Sequence, residues 1–342
     1  MAIVTEHFDV YPFTGPARVL RRDERALLSR AVPAMPAVAW DPIPPLKVIH
    51  FSQSYQEGAF VPPRILWEGE TGRVEWQQMN FRQPMYHRNL DVDEISYQIQ
   101  GGRTLMTELG TVELVPGDLV RIPVGVAHDN YGRKASHILW YFPAPIEEVG
   151  TVTRQSEVLI PPFAGWQAAT VNEVHTDCLG GRHCDRAVQL SDETLLLEQA
   201  RDEQDRLRVM SSAGERDQTR WVFSGPQHAI GVTELPASDG RTYTRHRDAD
   251  EIQYQVAGTR LLVSANGTVE LTPGTFVHIP VGVAYASITA GSSKHLTTVT
   301  TGKLTCVWEA ATESSRWPLE DIEAYREHAA AAPAGGNPVT VT

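Results

Sequence analysis

The chain has 342 residues, 42% hydrophobic and 8% aromatic, which is enough to bury proper cores and too apolar for a disordered protein. Thirty Lys and Arg stand against 42 Asp and Glu, a formal net charge of −12 with a pI near 5.5. That balance, with no basic run to reverse it locally, argues against nucleic acid or an acidic membrane surface as a partner.

Residues 17–31, ARVLRRDERALLSRA, carry helical spacing and charge. The Pro-rich stretch 34–45 reads as an extended arm, so residues 1–45 are expected to form a short N-terminal helix and arm. The opening MAIVTEHFDVYPF has neither a basic nor an apolar leader segment, and no apolar run approaches the ~18 residues of a membrane span. Cys178, Cys184 and Cys306 are too few for a disulfide framework. A cytoplasmic protein is the expectation.

A first unit is placed at 46–155. Within it, EISYQIQG alternates Glu94, Ser96, Gln98 and Gln100 with Ile95, Tyr97 and Ile99, the period of a β-strand. Turn signals follow at short intervals: Gly101-Gly102, Gly110, Pro116-Gly117, Pro123 and Gly125. If Glu94 points inward, Ile95, Tyr97 and Ile99 form an apolar outer face that must be covered by a second domain or another subunit. Residues 156–205 read as a polar linker.

A second unit, 206–312, repeats the first. DEIQYQVAGTRLLVSANGTVELTPGTFVHIPVGVAY matches the run that starts at Asp93 without a gap. The glutamates are 251 − 94 = 157 positions apart, and Gly117 and Gly274 keep the same offset. So long a period means a duplicated domain rather than a solenoid repeat. At the end, 313–342, WPLEDIEAYREHAAAA has Pro318 at a favoured first helical position, early acids and many alanines, so a helix followed by a loose tail is expected.

The first copy gathers His87, Asn89 and Glu94, then His128 after a Pro-Gly turn. Two imidazoles and a carboxylate suit a divalent transition metal and leave open positions on an ion that prefers six ligands. At the same offset the second copy holds Thr244, His246, Glu251 and Tyr285. Only one of the three proposed ligands survives there, so this copy is expected to keep the scaffold without the metal. His278 and His295 are expected to be surface or core histidines of that copy.

The pattern H-x-N-x4-E-x6-G followed by P-G-x5-P-x-G-x2-H resembles the two-part cupin motif, in both copies. The resemblance implies an all-β fold, a duplicated cupin (jelly-roll β-barrel). The HRN wording around His87 is similar to that of homogentisate dioxygenases and of the large subunit of two-component hydroquinone dioxygenases. That likeness implies Fe(II) held by His87, Glu94 and His128, with Asn89 as a fourth ligand or a hydrogen-bond donor beside them. It implies a non-haem ring-cleaving dioxygenase acting with O2 on a small aromatic para-diol of the hydroquinone, gentisate or homogentisate type. Asn89, Gln98 and His137 are the candidates for steering O2 or substrate. A homo-oligomer, or a small partner subunit, is the expected assembly.

Two other classes remain open on these residues. One is a metal-dependent isomerase or lyase without oxygen chemistry; the other is a non-enzymatic small-molecule-binding protein. His175, Cys178, His183 and Cys184 do not match the usual spacing of structural zinc. Trp140 and Tyr141 read as core packing, and Arg82 as either a substrate-carboxylate partner or a solvated loop residue.

Overall fold

The structure, a computed structural model, describes residues 2–29, 44–57, 62–143, 145–160, 163–179 and 184–331. It is all-β, built of two barrels, with a helix at Leu319–Ala331 that begins one residue after Pro318. Among the described residues no helix is long and apolar enough to cross a membrane.

The turn signals of the sequence are met in both copies. Gly117 and Gly274 take φ of 96° and 97°, and Gly125 and Gly282 take 80° and 79°. A Cβ at Gly274 would lie 2.1 Å from the Phe51 carbonyl oxygen, so glycine is required there by space as well as by backbone angle.

The apolar outer face of the first barrel is covered by the second. Ile95 and Tyr97 share one buried cluster with Ile252, Tyr254 and Phe276, with Ile99 packed at its margin. The two barrels thus meet through the same strand of each copy, and Tyr97 and Tyr254 approach edge-on at 6.4 Å. The face that called for a cover is satisfied within one chain.

The N-terminal and linker regions depart from expectation. Residues 18–23 are a strand, Arg18–Asp23, and the only helix in 17–29 is the short Glu24–Leu28; the arm at 34–45 lies outside the described residues except for Pro44 and Pro45. Helical spacing lost here because the segment finds a neighbour: Ile3–Asp9 pairs antiparallel with Arg18–Asp23 and parallel with Thr242–His246 of the second barrel. The stretch 156–205 is likewise more than a linker. Its strands Thr170–Asp177 and Cys184–Asp192 form a hairpin that pairs parallel with Met85–Asn89 of the first barrel.

These two hairpins are counterparts, and each serves the barrel of the other repeat. Each leads into a short helix whose N-cap is an aspartate, Asp23 or Asp192, followed by a buried glutamate. Glu24 accepts from the Tyr243 hydroxyl at 2.7 Å and Glu193 from the Tyr86 hydroxyl at 2.9 Å. Tyr86 and Tyr243 are again 157 positions apart. The exchange continues along the chain: Lys47–His50 pairs with Thr275–Ile279 of the second barrel, and Arg208–Ser211 with Asp118–Ile122 of the first. The strand Lys47–His50, placed by sequence in the first unit, therefore belongs to the sheet of the second.

Candidate metal centre

His87 stands on Met85–Asn89, Glu94 at the head of Asp93–Thr107, and His128 opens His128–Phe142. Antiparallel pairing sets His128 opposite His87, which brings the two rings to 3.8 Å between centroids. Glu94 Oε2 lies 3.2 Å from His128 Nε2 and 3.8 Å from His87 Nε2. The three ligand atoms fall within 4.8 Å of one another, and this is the only group of three or more His, Cys, Asp or Glu so gathered among the described residues.

The donor chemistry fits a cation. His128 Nδ1 donates to the Val126 carbonyl at 3.1 Å, which turns Nε2 toward Glu94. That Nε2 is buried and has no hydrogen-bond partner, although a carboxylate oxygen lies 3.2 Å away. An imidazole nitrogen and a carboxylate so placed call for positive charge, carried by a proton or by a bound ion. His128 and Glu94 are buried, while the His87 side chain keeps 17% exposure and marks the open side of the site. Burial raises the Glu94 carboxyl, but His128 and His87 outweigh it and hold it well below the usual range. Burial, with His128 adding to it, lowers the imidazole of His87.

Asn89 is a donor to the ligand carboxylate. Its Nδ2 donates to Glu94 Oε2 at 2.9 Å, and its Oδ1 accepts from Cys178 Sγ at 3.3 Å. Held on both sides, the amide turns its nitrogen toward the site, and nitrogen of an amide is no ligand. Cys178 reaches this position because the hairpin of the second repeat runs beside the His87 strand, and the Asp91 carboxylate accepts from the backbone N–H groups of Cys178 and Leu179. Burial pushes its thiol up, so it is a neutral donor at physiological pH.

Below the triad the wall is polar. Gln98 and His137 are opposite each other in register, two same-face pairs deeper than the Glu94–Tyr141 pair. Both are buried; His137 Nε2 lies 3.1 Å from Gln77 Oε1, and burial, reinforced by Arg103, keeps its imidazole neutral. Glu75 lines the same wall, its carboxyl pushed up to about 7 by burial against the opposing pull of Arg73. Tyr141 packs, as read from the sequence, in a buried cluster with Val92, Leu139 and Cys178, and its register sets it across from Glu94. Trp140 does pack in the inter-barrel cluster.

Arg82 is committed elsewhere. It pairs with Asp129 at 2.8 Å and with Glu193, and so anchors the exchanged hairpin rather than a ligand. His175, Cys178 and Cys184 do not converge on a metal position; Cys184 is exposed, Cys178 buried, and His183 lies outside the described residues.

In the second barrel the counterpart carboxylate is met by three hydrogen-bond donors. Glu251 accepts from the Tyr285 hydroxyl at 2.6 Å, from Gln253 at 2.8 Å and from His246 Nε2 at 3.1 Å. His246 occupies the place of Asn89 and repeats its hydrogen bond. Burial works against a charge on His246, but Glu251 outweighs it and raises the imidazole. His295 is a buried core histidine, opposite Gln255; His278 lies 3.3 Å from Asp250.

No protein-family model and no curated protein matches the sequence. Solved structures do resemble the chain in shape. A cupin 2 conserved barrel domain protein from Leptotrichia buccalis covers 75% of this chain and 98% of its own, at 8% identity and a TM-score of 0.48. A salicylate 1,2-dioxygenase from Pseudaminobacter salicylatoxidans covers 71% and 80%, at 12% identity and 0.41. A mutant form of Bacillus subtilis oxalate decarboxylase covers 85% and 86%, at 11% identity and 0.44. The chain is thus similar to cupin barrel proteins, and its chemistry has to be read from its own side chains.

Proposed function

We propose that this protein is a non-haem Fe(II) dioxygenase that cleaves the ring of a small hydroxylated aromatic, with one active site per chain, in the first barrel. The observation that carries the reading is the unpartnered Nε2 of His128 facing Glu94 beside His87, a two-histidine, one-carboxylate set with room for further ligands. The sequence resemblance of the HRN segment supplies the substrate class, a para-diol.

When bound, a ferrous ion supplies the electronic link between a hydroxylated ring and O2, both of whose atoms enter the product, so no further reductant is called for. The chain's own residues do the rest. Val126 fixes the orientation of the His128 ring so that Nε2 would be the ligand atom, and Asn89 steers Glu94. Tyr141, His137 and Gln98 form the wall below, where a neutral imidazole and an amide orient a hydroxylated ring without adding charge. The apolar side of the barrel, with Ile122, Val120 and Leu105, keeps bulk water from the ring.

The test is anaerobic reconstitution with Fe(II), followed by O2 uptake with para-diols. One O2 consumed per substrate, with loss of the aromatic absorbance, is the expected result. A protein that binds one divalent ion per chain but consumes no O2 would pass to the isomerase or lyase class.

A further inference from the structure

The first barrel buries a guanidinium with almost nothing to hold. Arg103 is 1% exposed, donates from Nη2 to Ser96 Oγ at 2.6 Å, and makes no other hydrogen bond or ion pair among the described residues. Its Nε is buried without a partner. Two side chains on the same wall share this condition: Gln98 Oε1 and His137 Nδ1 are buried and unpartnered. A buried guanidinium with so few hydrogen bonds is costly even with Glu94 as the charge that favours it, and unmatched polar atoms beside it compound the cost.

The second barrel is an internal control. Arg260 is the counterpart of Arg103, equally buried. Its Nε donates to Gln255 at 2.8 Å, its Nη1 to Ser287 at 2.7 Å and its Nη2 to Gln253. Every nitrogen is engaged. Ser96 Oγ takes the Nη2 donor as Gln253 does, but Asn130, at the Ser287 position, turns its amide to Gln83 instead. Gln98, the match of Gln255, leaves its oxygen unpaired instead of giving it to the arginine. So the barrel that kept the metal triad is also the barrel whose arginine was left open.

We infer that Arg103 receives a carboxylate of the substrate, so that the ligand of the first barrel is a hydroxylated aromatic acid rather than a neutral diol. This rests on the ring-cleavage reading and narrows it. Ser96, which holds Arg103, lies two residues from Glu94 on the same face, about 7 Å along the strand, a distance that an aromatic ring spans between a hydroxyl and a carboxylate. A guanidinium fork with a free edge matches a carboxylate in two parallel hydrogen bonds. Glu94 does not take this role, because its oxygens are engaged by Asn89 and face the histidines. A divalent cation at the triad would leave the interior net positive, since Glu94 and Arg103 offset each other, and an anionic ligand reduces that excess.

The experiment is equilibrium binding by calorimetry to the Fe(II)-loaded protein under anaerobic conditions, with gentisate and hydroquinone as probes. The wild type should bind gentisate at least about tenfold tighter than hydroquinone. Arg103→Gln should abolish the preference, and Arg103→Lys should retain part of it. Equal binding of the two probes by the wild type, binding of neither, or an undiminished preference in a folded Arg103→Gln overturns the inference. The wild-type comparison decides even if the variants do not fold. A protein that prefers gentisate through Arg103 yet consumes no O2 keeps this inference and loses ring cleavage; one that cleaves hydroquinone with no preference for the acid does the reverse.

Discussion

The two barrels offer the same carboxylate two different fates. In the second, Glu251 sits under three donors, Tyr285, Gln253 and His246, and its negative charge is fully answered by protein. In the first, Glu94 has Asn89 and then two imidazoles, one of which holds a buried nitrogen with no hydrogen-bond partner. The scaffold, the strand register and the turn glycines are shared. What separates the two barrels is whether hydrogen-bond donors around one glutamate satisfy it or leave a place that an ion could fill. The arginines below repeat the lesson, open in one barrel and saturated in the other.

The sharpest way to break this comparison is to remove a ligand from each side. His128→Ala should take iron from about one per chain to near zero by elemental analysis and abolish O2 uptake, whereas His246→Ala should leave iron unchanged. Iron that survives His128→Ala would move the metal out of the first barrel. A variant that builds the missing ligands tests the converse. Thr244 and Tyr285 face each other in the register that His87 and His128 hold. Thr244→His with Tyr285→His should therefore raise the metal content toward two per chain; a content still at one would show that Glu251 is held too tightly to be recruited.

Smaller effects probe the supporting residues. Asn89→Ala removes the donor that aligns Glu94, and metal affinity measured by competition with a chelator should fall about 10–100-fold. In the second barrel, Tyr285→Phe takes one hydrogen bond from a buried carboxylate and should cost about 1–3 kcal/mol in denaturant unfolding with no change in iron.

The smallest expected effect is on pH dependence. Burial opposes ionisation of Glu251, but His246, Tyr285 and Gln253 outweigh it and leave the carboxyl below its usual value. Between the unfolded and folded values the unfolded chain binds more protons, so this contribution is present above about pH 4.5 and is lost as pH falls through the folded value. His246→Ala should flatten that acid limb of the stability curve, and an unchanged limb would show that Glu251 is not the group responsible.

Much of the centre was legible because its ligands are local or share the repeat. His87 and Glu94 lie seven positions apart, His128 follows a turn signalled by proline and glycine, and the 157-residue offset exposes the substitutions at Thr244 and Tyr285. Strand alternation alone placed Ile95, Tyr97 and Ile99 on the face that the second barrel covers. The helix expected at 17–31 and the linker at 156–205 were misread because local propensity and polarity say nothing of a distant strand waiting to pair.

By itself, then, the sequence determined the duplicated β architecture and the presence of His87, Glu94 and His128 in one copy only, since these follow from periodicity, turn chemistry and identity at fixed spacing. Only the tertiary structure decided the reciprocal exchange of the hairpins, the contact of Cys178 with Asn89 and the open edge of Arg103. Each of these depends on which strands pair and in what register, and on whether a buried polar atom finds a partner, and a hydrogen bond between residues 89 and 178 leaves no periodic trace along the chain.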